Sequence, residues 1–322
     1  MTNFQVYRKV LNFSLLGFLV DMLALAVVAG TSVGGFLIMN QTTDRALIGL
    51  GIGFIVGIVL AVLISIFISN RIKAAQIAMM VKGVTEGQLP EHTFKEGFNE
   101  IRGRFGKITV FFFITNAIKS IFRQIGRGIN KIGTAIGGQA GDTVTSVIDS
   151  AIQTLIGYLC DCCLGWVLYR KDINPFKAGC EGTVIFFKHG KTLIRNVGRI
   201  FGMGLLSLLL IGGSVFGLSY LIFSNMPQVF NALSAEITEA FVRAGETAPE
   251  FITDIMLLTL FVCAILAIVV WSCLHSVLIR PFILVGVMRN YMAAGKEHMP
   301  NEQEFAEMQG RFPRFSKLYD KI

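Results

Sequence analysis

Four apolar runs, residues 15–39, 47–69, 200–223 and 255–279, contain one Asp, Glu, Lys or Arg between them, Asp21. At 1.5 Å per helical residue, runs of 25, 23, 24 and 25 residues each reach about 35 Å. That is enough to cross a hydrocarbon layer of about 30 Å with some tilt. Within a bilayer the backbone must satisfy its own hydrogen bonds, which leaves the helix as the natural form of such runs. The rest of the composition agrees: 53% of the 322 residues are hydrophobic and 16% charged, against about 25% charged in an ordinary soluble domain. The expected fold is all-α, a polytopic helical integral membrane protein. Its four transmembrane helices would form two hairpins, joined by cytoplasmic-face amphipathic helices and one re-entrant segment. The first run follows Arg8 and Lys9 but is too long for the apolar core of a cleaved signal, so it is expected to stay as a span.

The distribution of cations sets the expected orientation. Of the 29 Lys and Arg residues, only Arg45 and Arg243 fall on one side of the four runs, leaving 27 on the other. Basic residues resist translocation, so both termini are expected in the cytoplasm, with the protein in the plasma (inner) membrane. Four regions follow: an N-terminal transmembrane hairpin over 1–69, a cytoplasmic-face region over 70–199, a C-terminal transmembrane hairpin over 200–279 with an acidic outer loop at 225–254, and a cytoplasmic tail over 280–322.

The region 70–199 carries the ambiguity. Residues 70–107 read as a helix–turn–helix broken at Leu89-Pro90. Next, Ile114, Ile118, Ile121, Phe122, Ile125, Ile129, Ile132 and Ile136 recur every three or four residues, which places them on one helical stripe. Lys119, Arg123, Arg127 and Lys131 lie opposite. Such a helix rests in the membrane interface, its cations on anionic headgroups; the competing expectation is that the stripe packs on the protein's own helices. Residues 147–169 are apolar but hold Asp149 and Asp161, and both flanks are basic. A single crossing is therefore forbidden, and a re-entrant or interfacial segment is expected, with a second hairpin formed with residues 108–118 as the alternative. Residues 183–199 form another basic amphipathic stretch, with Lys188, Lys191, Arg195 and Arg199 on its headgroup side. Arg280-Pro281 is expected to kink or end the last span. No fixed-period repeat is apparent.

Packing between spans needs small residues, because lipid supplies no hydrophobic drive between helices. Gly49, Gly53, Gly57, Ala61 and Ser65 recur at four-residue steps in the second run, and Ala26, Gly30 and Gly34 do so in the first. A tight hairpin follows, with a second copy of the chain as the alternative partner for the ladder.

Signatures of chemistry are sparse. Asp21, Asp149 and Asp161 are the candidate polar membrane sites, since acids in hydrocarbon are costly and often functional. Cys160, Cys162, Cys163 and Cys180 cluster, but they lack the two separated pairs of a structural zinc site, and small apolar packing is the leading expectation. Gly190-Lys191-Thr192 has Ile185 where a phosphate-binding loop needs glycine. His92, His189, His275 and His298 are scattered. No metal, cofactor or nucleic-acid partner is expected; the net charge of +8 is explained by topology and anionic lipid. The expected function is a non-enzymatic membrane component, a scaffold or subunit of a membrane assembly at the cytoplasmic face. Its partners would be lipid headgroups and proteins or further copies of itself. A small transporter or channel using Asp21 and residues 147–169 is the alternative, and a lipid-modifying enzyme a more distant one.

Overall fold

The computed structural model describes residues 1–43, 46–105, 110, 113–124, 142–243, 245 and 247–322, with side chains over the same residues apart from 42, 43, 46, 47, 142–152, 190–199 and 240. All regular structure among the described residues is helical. The chain divides into two compact units, one of Met1–Ile200 with Pro281–Ile322 and one of Phe201–Arg280. Among the described residues, four helical runs, Asn3–Gln41, Ile48–Thr85, Ile200–Phe223 and Ile255–Glu297, are long and apolar enough to cross a membrane.

In the first unit, α1 (Asn3–Thr43) lies antiparallel against α2 (Ala46–Ile64). The seam is built on glycine. A Cβ on Gly49 would lie 2.5 Å from the Met39 Cβ and also strike the Gly35 carbonyl oxygen; one on Gly53 would strike the Thr31 carbonyl oxygen; one on Gly57 would lie 2.7 Å from the Val28 Cα. Backbone therefore rests on backbone here, at a distance no side chain permits. The face that α1 offers is Val28, Thr31, Ser32, Gly35 and Met39. Ala26 and Gly30 are exposed, and Gly30 and Gly34 have nothing within 4 Å of a would-be Cβ. The expected α1 ladder thus sits about one residue out of phase, some 100° around the helix. Thr31 and Ser32 serve as small residues because their hydroxyls donate back to Val27 and Val28 carbonyls at 2.7–3.1 Å. Ala61 is half-buried, while Ser65 is exposed.

At Ser65 the second helix passes through a π-turn, Ser65–Ser69, and continues without a break as α3 (Asn70–Thr85). There its character changes from lipid-like to core-like: Ile72, Ala74–Val81 and Gly83 are all buried. Gly87, at a φ of 73°, turns the chain at the only kind of backbone conformation that specifically favours glycine. Pro90 follows, and α4 (Thr93–Phe105) folds back on α3.

Residues 113–124 are helical where described. Then α5 (Asp142–Tyr169) and α6 (Pro175–Ser207) form the centre of the unit, α6 breaking from helical geometry at His189 (φ −97°, ψ 15°). Ile156 and the whole stretch 158–168 are buried. The apolar residues of that stretch are the interior of a folded helical domain. A helix enclosed by protein on all sides and one enclosed by lipid have the same composition, so periodicity could not separate the two.

In the second unit, the C-terminal end of α6 passes through a π-turn (Leu208–Gly212) into α7 (Gly213–Phe223). The segment expected as an acidic loop is largely helical, with α8 (Pro227–Arg243) and the short α9 (Glu250–Thr253). Phe230 and Ser234 are buried, and the Ser234 hydroxyl donates to the Ile252 carbonyl at 2.7 Å. Asp254 caps α10 (Ile255–Leu274), accepting from the Met256 and Leu257 amides. α10 packs on α7, and the Trp271 indole donates to Ser207 at 3.1 Å.

The helix does not end at Arg280-Pro281. A π-turn (His275–Ile279) leads into α11 (Arg280–Glu297), and α12 (Glu302–Arg311) and α13 (Pro313–Tyr319) complete the chain. Proline lacks the amide that would bond four residues back and crowds that carbonyl. The wider π-turn immediately before it loosens that register, which lets the helix pass through.

These elements expose a recurrence hidden from residue-level periodicity. Two apolar helices each end in a π-turn, continue as a buried extension, stop before a proline and turn into a short helix. The two series are displaced by 210 positions, the interval from Ser65 to His275 and from Pro90 to Pro300. Burial coincides as well: Ala74, Ala75, Ile77, Ala78 and Val81 match Leu284, Val285, Val287, Met288 and Tyr291. Each short helix ends near a Gly-Arg-Phe, at 103–105 and 310–312. The two extensions meet on α5 at Gly165, where a Cβ would lie 2.7 Å from the Met288 sulfur and 2.9 Å from Val81.

Candidate functional site

The ionisable side chains of the first unit gather where α3, α4 and α11–α13 surround the α5–α6 pair. Asp161 projects from α5 with its side chain 6% exposed, and the Lys73 ammonium of α3 meets it at 2.8 Å. Asp161, a candidate polar site from the sequence, is thus one half of an ion pair inside the helical domain. Lys73 stands on the first turn beyond the π-turn, where α3 leaves the apolar run and can bring a cation to a buried carboxylate.

A second cluster closes the end of α5. The Glu181 carboxylate, 8% exposed, accepts from the buried Trp166 indole at 3.1 Å and from Arg170 at 2.9 Å. Arg170 also grips Asp172 through two hydrogen bonds of 2.8 Å. This fork raises the Arg170 pKa and lowers that of Asp172, the mutual hydrogen bond being the largest cause in both groups. Arg104, from the first Gly-Arg-Phe, donates to the Val167 carbonyl at 2.8 Å, satisfying one of the carbonyls that the C-terminal turn of α5 leaves free. Lys171 pairs with Glu100, and Lys82 lies 3.7 Å from the same carboxylate.

Between these clusters lie the thiols. Cys160, Cys162, Cys163 and Cys180 are all buried. Burial raises every one of them above the usual thiol range, and Cys163 and Cys180 are pushed up to about 12. A protonated, enclosed thiol is a poor nucleophile and a poor metal ligand. Cys163 lies 3.5 Å from the Gly179 carbonyl, and the Tyr291 hydroxyl donates to the Gly182 carbonyl close by. Among the described residues, no three His, Cys, Asp or Glu side chains converge as a metal site.

The expected headgroup-contacting residues separate into three groups. In the helical stretch 113–124, Ile114, Ile118, Ile121 and Phe122 are at most 1% exposed. Phe122 packs edge-on against Phe186 at 5.2 Å, and Ser120 accepts from Arg314. This half of the isoleucine stripe faces the protein's own core, the competing expectation above, and contradicts an interfacial resting face for those residues. Lys119 is half-buried and Arg123 exposed on the other side. Lys188 is held by Glu304 of α12, beside His298. The side chains of Arg127, Lys131, Lys191, Arg195, Arg199 and Asp149 lie outside the described residues.

Asp21 is exposed on α1 and accepts from the Ser69 hydroxyl at 2.8 Å. The bond ties the two antiparallel helices together at the end of the π-turn. Sequence reasoning missed Lys73, Arg104 and Arg170 as structural partners. The available signal was the apolar content of 158–168 on all sides of a helix, which demands a polar neighbour for the one charge that interrupts it, Asp161.

No family model, no curated protein and no solved structure matches the chain.

Proposed function

We propose that the chain is an integral protein of the plasma (inner) membrane with four spans in two hairpins and both termini cytoplasmic. In this reading it is a non-enzymatic scaffold or subunit that presents a rigid helical platform at the cytoplasmic face. The observation that carries the proposal is the unbroken helix from the apolar α2 into the buried α3. A span that is also a core element of a folded domain fixes that domain to the bilayer, as a platform for other components requires. Two further features support it. The apolar runs present large side chains outward, Ile55 at 64% and Leu209 at 65% exposure, which lipid would cover. The charged groups of the domain interior are engaged with one another, and its thiols are protonated, so its chemistry favours holding a shape over turning over a substrate.

Impermeant thiol labelling of single cysteines placed at residues 123 and 322 in intact cells tests the orientation: both should be protected until the membrane is opened. Labelling of either from outside refutes the map. The scaffold reading further expects proteoliposomes to leak protons and alkali cations no faster than empty vesicles.

A second reading, transport, draws on the Asp21–Ser69 bond, a carboxylate at a π-turn between two helices, since π-turns often mark working sites. A flux that Asp21→Asn abolishes while the thermal stability holds would replace the scaffold reading with this one.

A further inference from the structure

α6 leaves helical geometry at His189, and polar groups from a distant part of the chain converge on that break. The turn between α11 and α12 brings His298 and Glu304 against Lys188 and His189. The two imidazoles meet edge to face, with centroids 5.8 Å apart at 60°. Nε2 of His298 lies 3.2 Å from the Glu304 carboxylate and touches the Lys188 ammonium, which pairs with the same carboxylate oxygen. Glu304 is fixed in place. Its other oxygen accepts from the Asn301 amide at 3.0 Å, and the Asn301 side chain accepts from the Glu304 amide at 3.0 Å. Nε2 of His189 is buried without a hydrogen-bond partner among the described residues, so His298 is the imidazole with a cation and a carboxylate both in reach. The adjoining charges are engaged elsewhere or exposed: Arg170 reaches the Met299 sulfur at 3.2 Å, Lys296 and Arg311 lie over the Tyr169 and Phe187 rings, and Glu297 and Glu302 are exposed.

The donor inventory makes this nitrogen decisive. An ammonium only donates, a carboxylate only accepts, and a neutral imidazole offers one bare nitrogen and one N–H. With Nε2 bare, His298 accepts from Lys188, which then has two acceptors across the break. An imidazolium donates from both nitrogens and cannot accept from Lys188. Its Nε2–H takes the Glu304 oxygen instead, and its charge repels the ammonium. Because the capping box fixes Glu304, the carboxylate cannot follow Lys188 outward. α12 and α13 stay docked in either state, since Phe305, Met308, Phe315 and Leu318 are at most 4% exposed and four buried side chains outweigh one exposed ionic contact. The change is confined to the turn of α6 at the break.

We infer that His298 is a proton-operated catch on the break in α6. Neutral, it accepts from Lys188 and joins Glu304 in holding that turn against α12; protonated, it claims Glu304, expels Lys188 and loosens the turn. The helix that leads into the third apolar run is thereby made responsive to acid. This goes beyond the scaffold reading and does not depend on it.

Hydrogen exchange of the full-length protein in mild detergent tests the catch, at pH 7.5 and 5.5 with correction for the intrinsic pH dependence of the chemical step. That interval spans the range in which histidine side chains change charge, while Glu304 stays ionised because its pKa lies below its ordinary 4.5. Loss of one exposed charged contact is worth about threefold to fivefold in local opening. Exchange over residues 184–192 should therefore rise by about that factor at pH 5.5, relative to the buried stretch of α3. His298→Gln, uncharged at both pH values, should remove the rise, and His189→Gln should keep it. Lys188→Met removes the group on which the imidazolium acts, so its exchange should be fast at both pH values. Should one of the His298 and Lys188 variants melt early, the other carries the test, because each predicts a pH-independent ratio. No differential rise in the wild type, or a rise that survives His298→Gln, overturns the inference; a rise abolished by His189→Gln alone overturns it in favour of the other imidazole.

Discussion

Replacing Glu181 with alanine removes the acceptor shared by Trp166 and Arg170. The Trp166 side chain is fully buried, so its indole N–H would be left without a partner, at about 1–3 kcal/mol. Breaking a buried ion pair from one side costs about 3–5 kcal/mol, but Arg170 keeps its two bonds to the exposed Asp172. The lower end applies, and about 3 kcal/mol is the expected loss for the cluster as a whole. For a unit of this size each kcal/mol moves the melting temperature by about 2–4 °C, so Glu181→Ala should melt about 6–12 °C lower. Glu181→Gln keeps an acceptor for the indole and should lose about half as much. The chain has two tryptophans, and Trp271 belongs to the other unit; in a Trp271→Phe background, fluorescence reports the surroundings of Trp166 alone. Circular dichroism then completes the cycle with Trp166→Phe, which removes the N–H. The double variant should be less destabilised than the two single losses combined by about 1 kcal/mol, because the orphaned donor is gone. A shift under about 2 °C for Glu181→Ala, or strict additivity in the cycle, would refute the claim that this buried carboxylate holds the end of α5.

Gly53→Leu and Gly57→Leu force a side chain into the α1 backbone, and each should lower detergent melting by several degrees, whereas Gly30→Leu, facing open space, should be nearly silent; equal behaviour of all three would show that the seam lies elsewhere. Because burial keeps Cys160, Cys162, Cys163 and Cys180 protonated, a maleimide at mildly alkaline pH should leave all four unmodified in the native protein and reach them after denaturation, as peptide mapping can follow. Glu304 is partly buried, which alone would raise its pKa, yet hydrogen bonds from Lys188, the Asn301 amide and His298 lower it below its ordinary 4.5. A depressed carboxylate stabilises the fold above its unfolded pKa and loses that effect as pH falls through the folded value. Stability should therefore decline on acidification below about 4.5, and the decline should be shallower in Glu304→Gln; identical acid profiles for the two proteins would exclude this pair as a contributor.

The recurrence of span, π-turn, buried extension, proline and short helix bears on how the first unit came to hold together. Its two halves share burial and breaks more than residue types, as Ala78 and Met288, or Val81 and Tyr291, illustrate. In both halves the arginine of the Gly-Arg-Phe works on the central pair: Arg104 bonds the Val167 carbonyl, and Arg311 stacks over Phe187 at 5.1 Å. A flat apolar extension and a cation at the end of its short helix are what a central helix such as α5 needs on each flank.

Length and charge alone determined the existence of four helices able to cross a membrane, because about 20 apolar residues without charge have few other ways to fold. The same local reasoning located the glycine face of α2, whose members need only be small and four apart. It could not choose the facing stripe of α1, since Ala26–Gly30–Gly34 and Val28–Thr31–Gly35 differ by a rotation of about 100° that only contact with a partner decides. Nor could it decide the surroundings of residues 156–168 or of the stripe Ile114–Ile118–Ile121. An apolar side chain gains similarly from lipid and from a protein interior, so the pattern records the escape from water and not its destination. The tertiary structure made that choice by supplying Lys73 to Asp161 and Glu181 to Trp166, partners distant in the chain that render a polar-bearing helix stable inside protein.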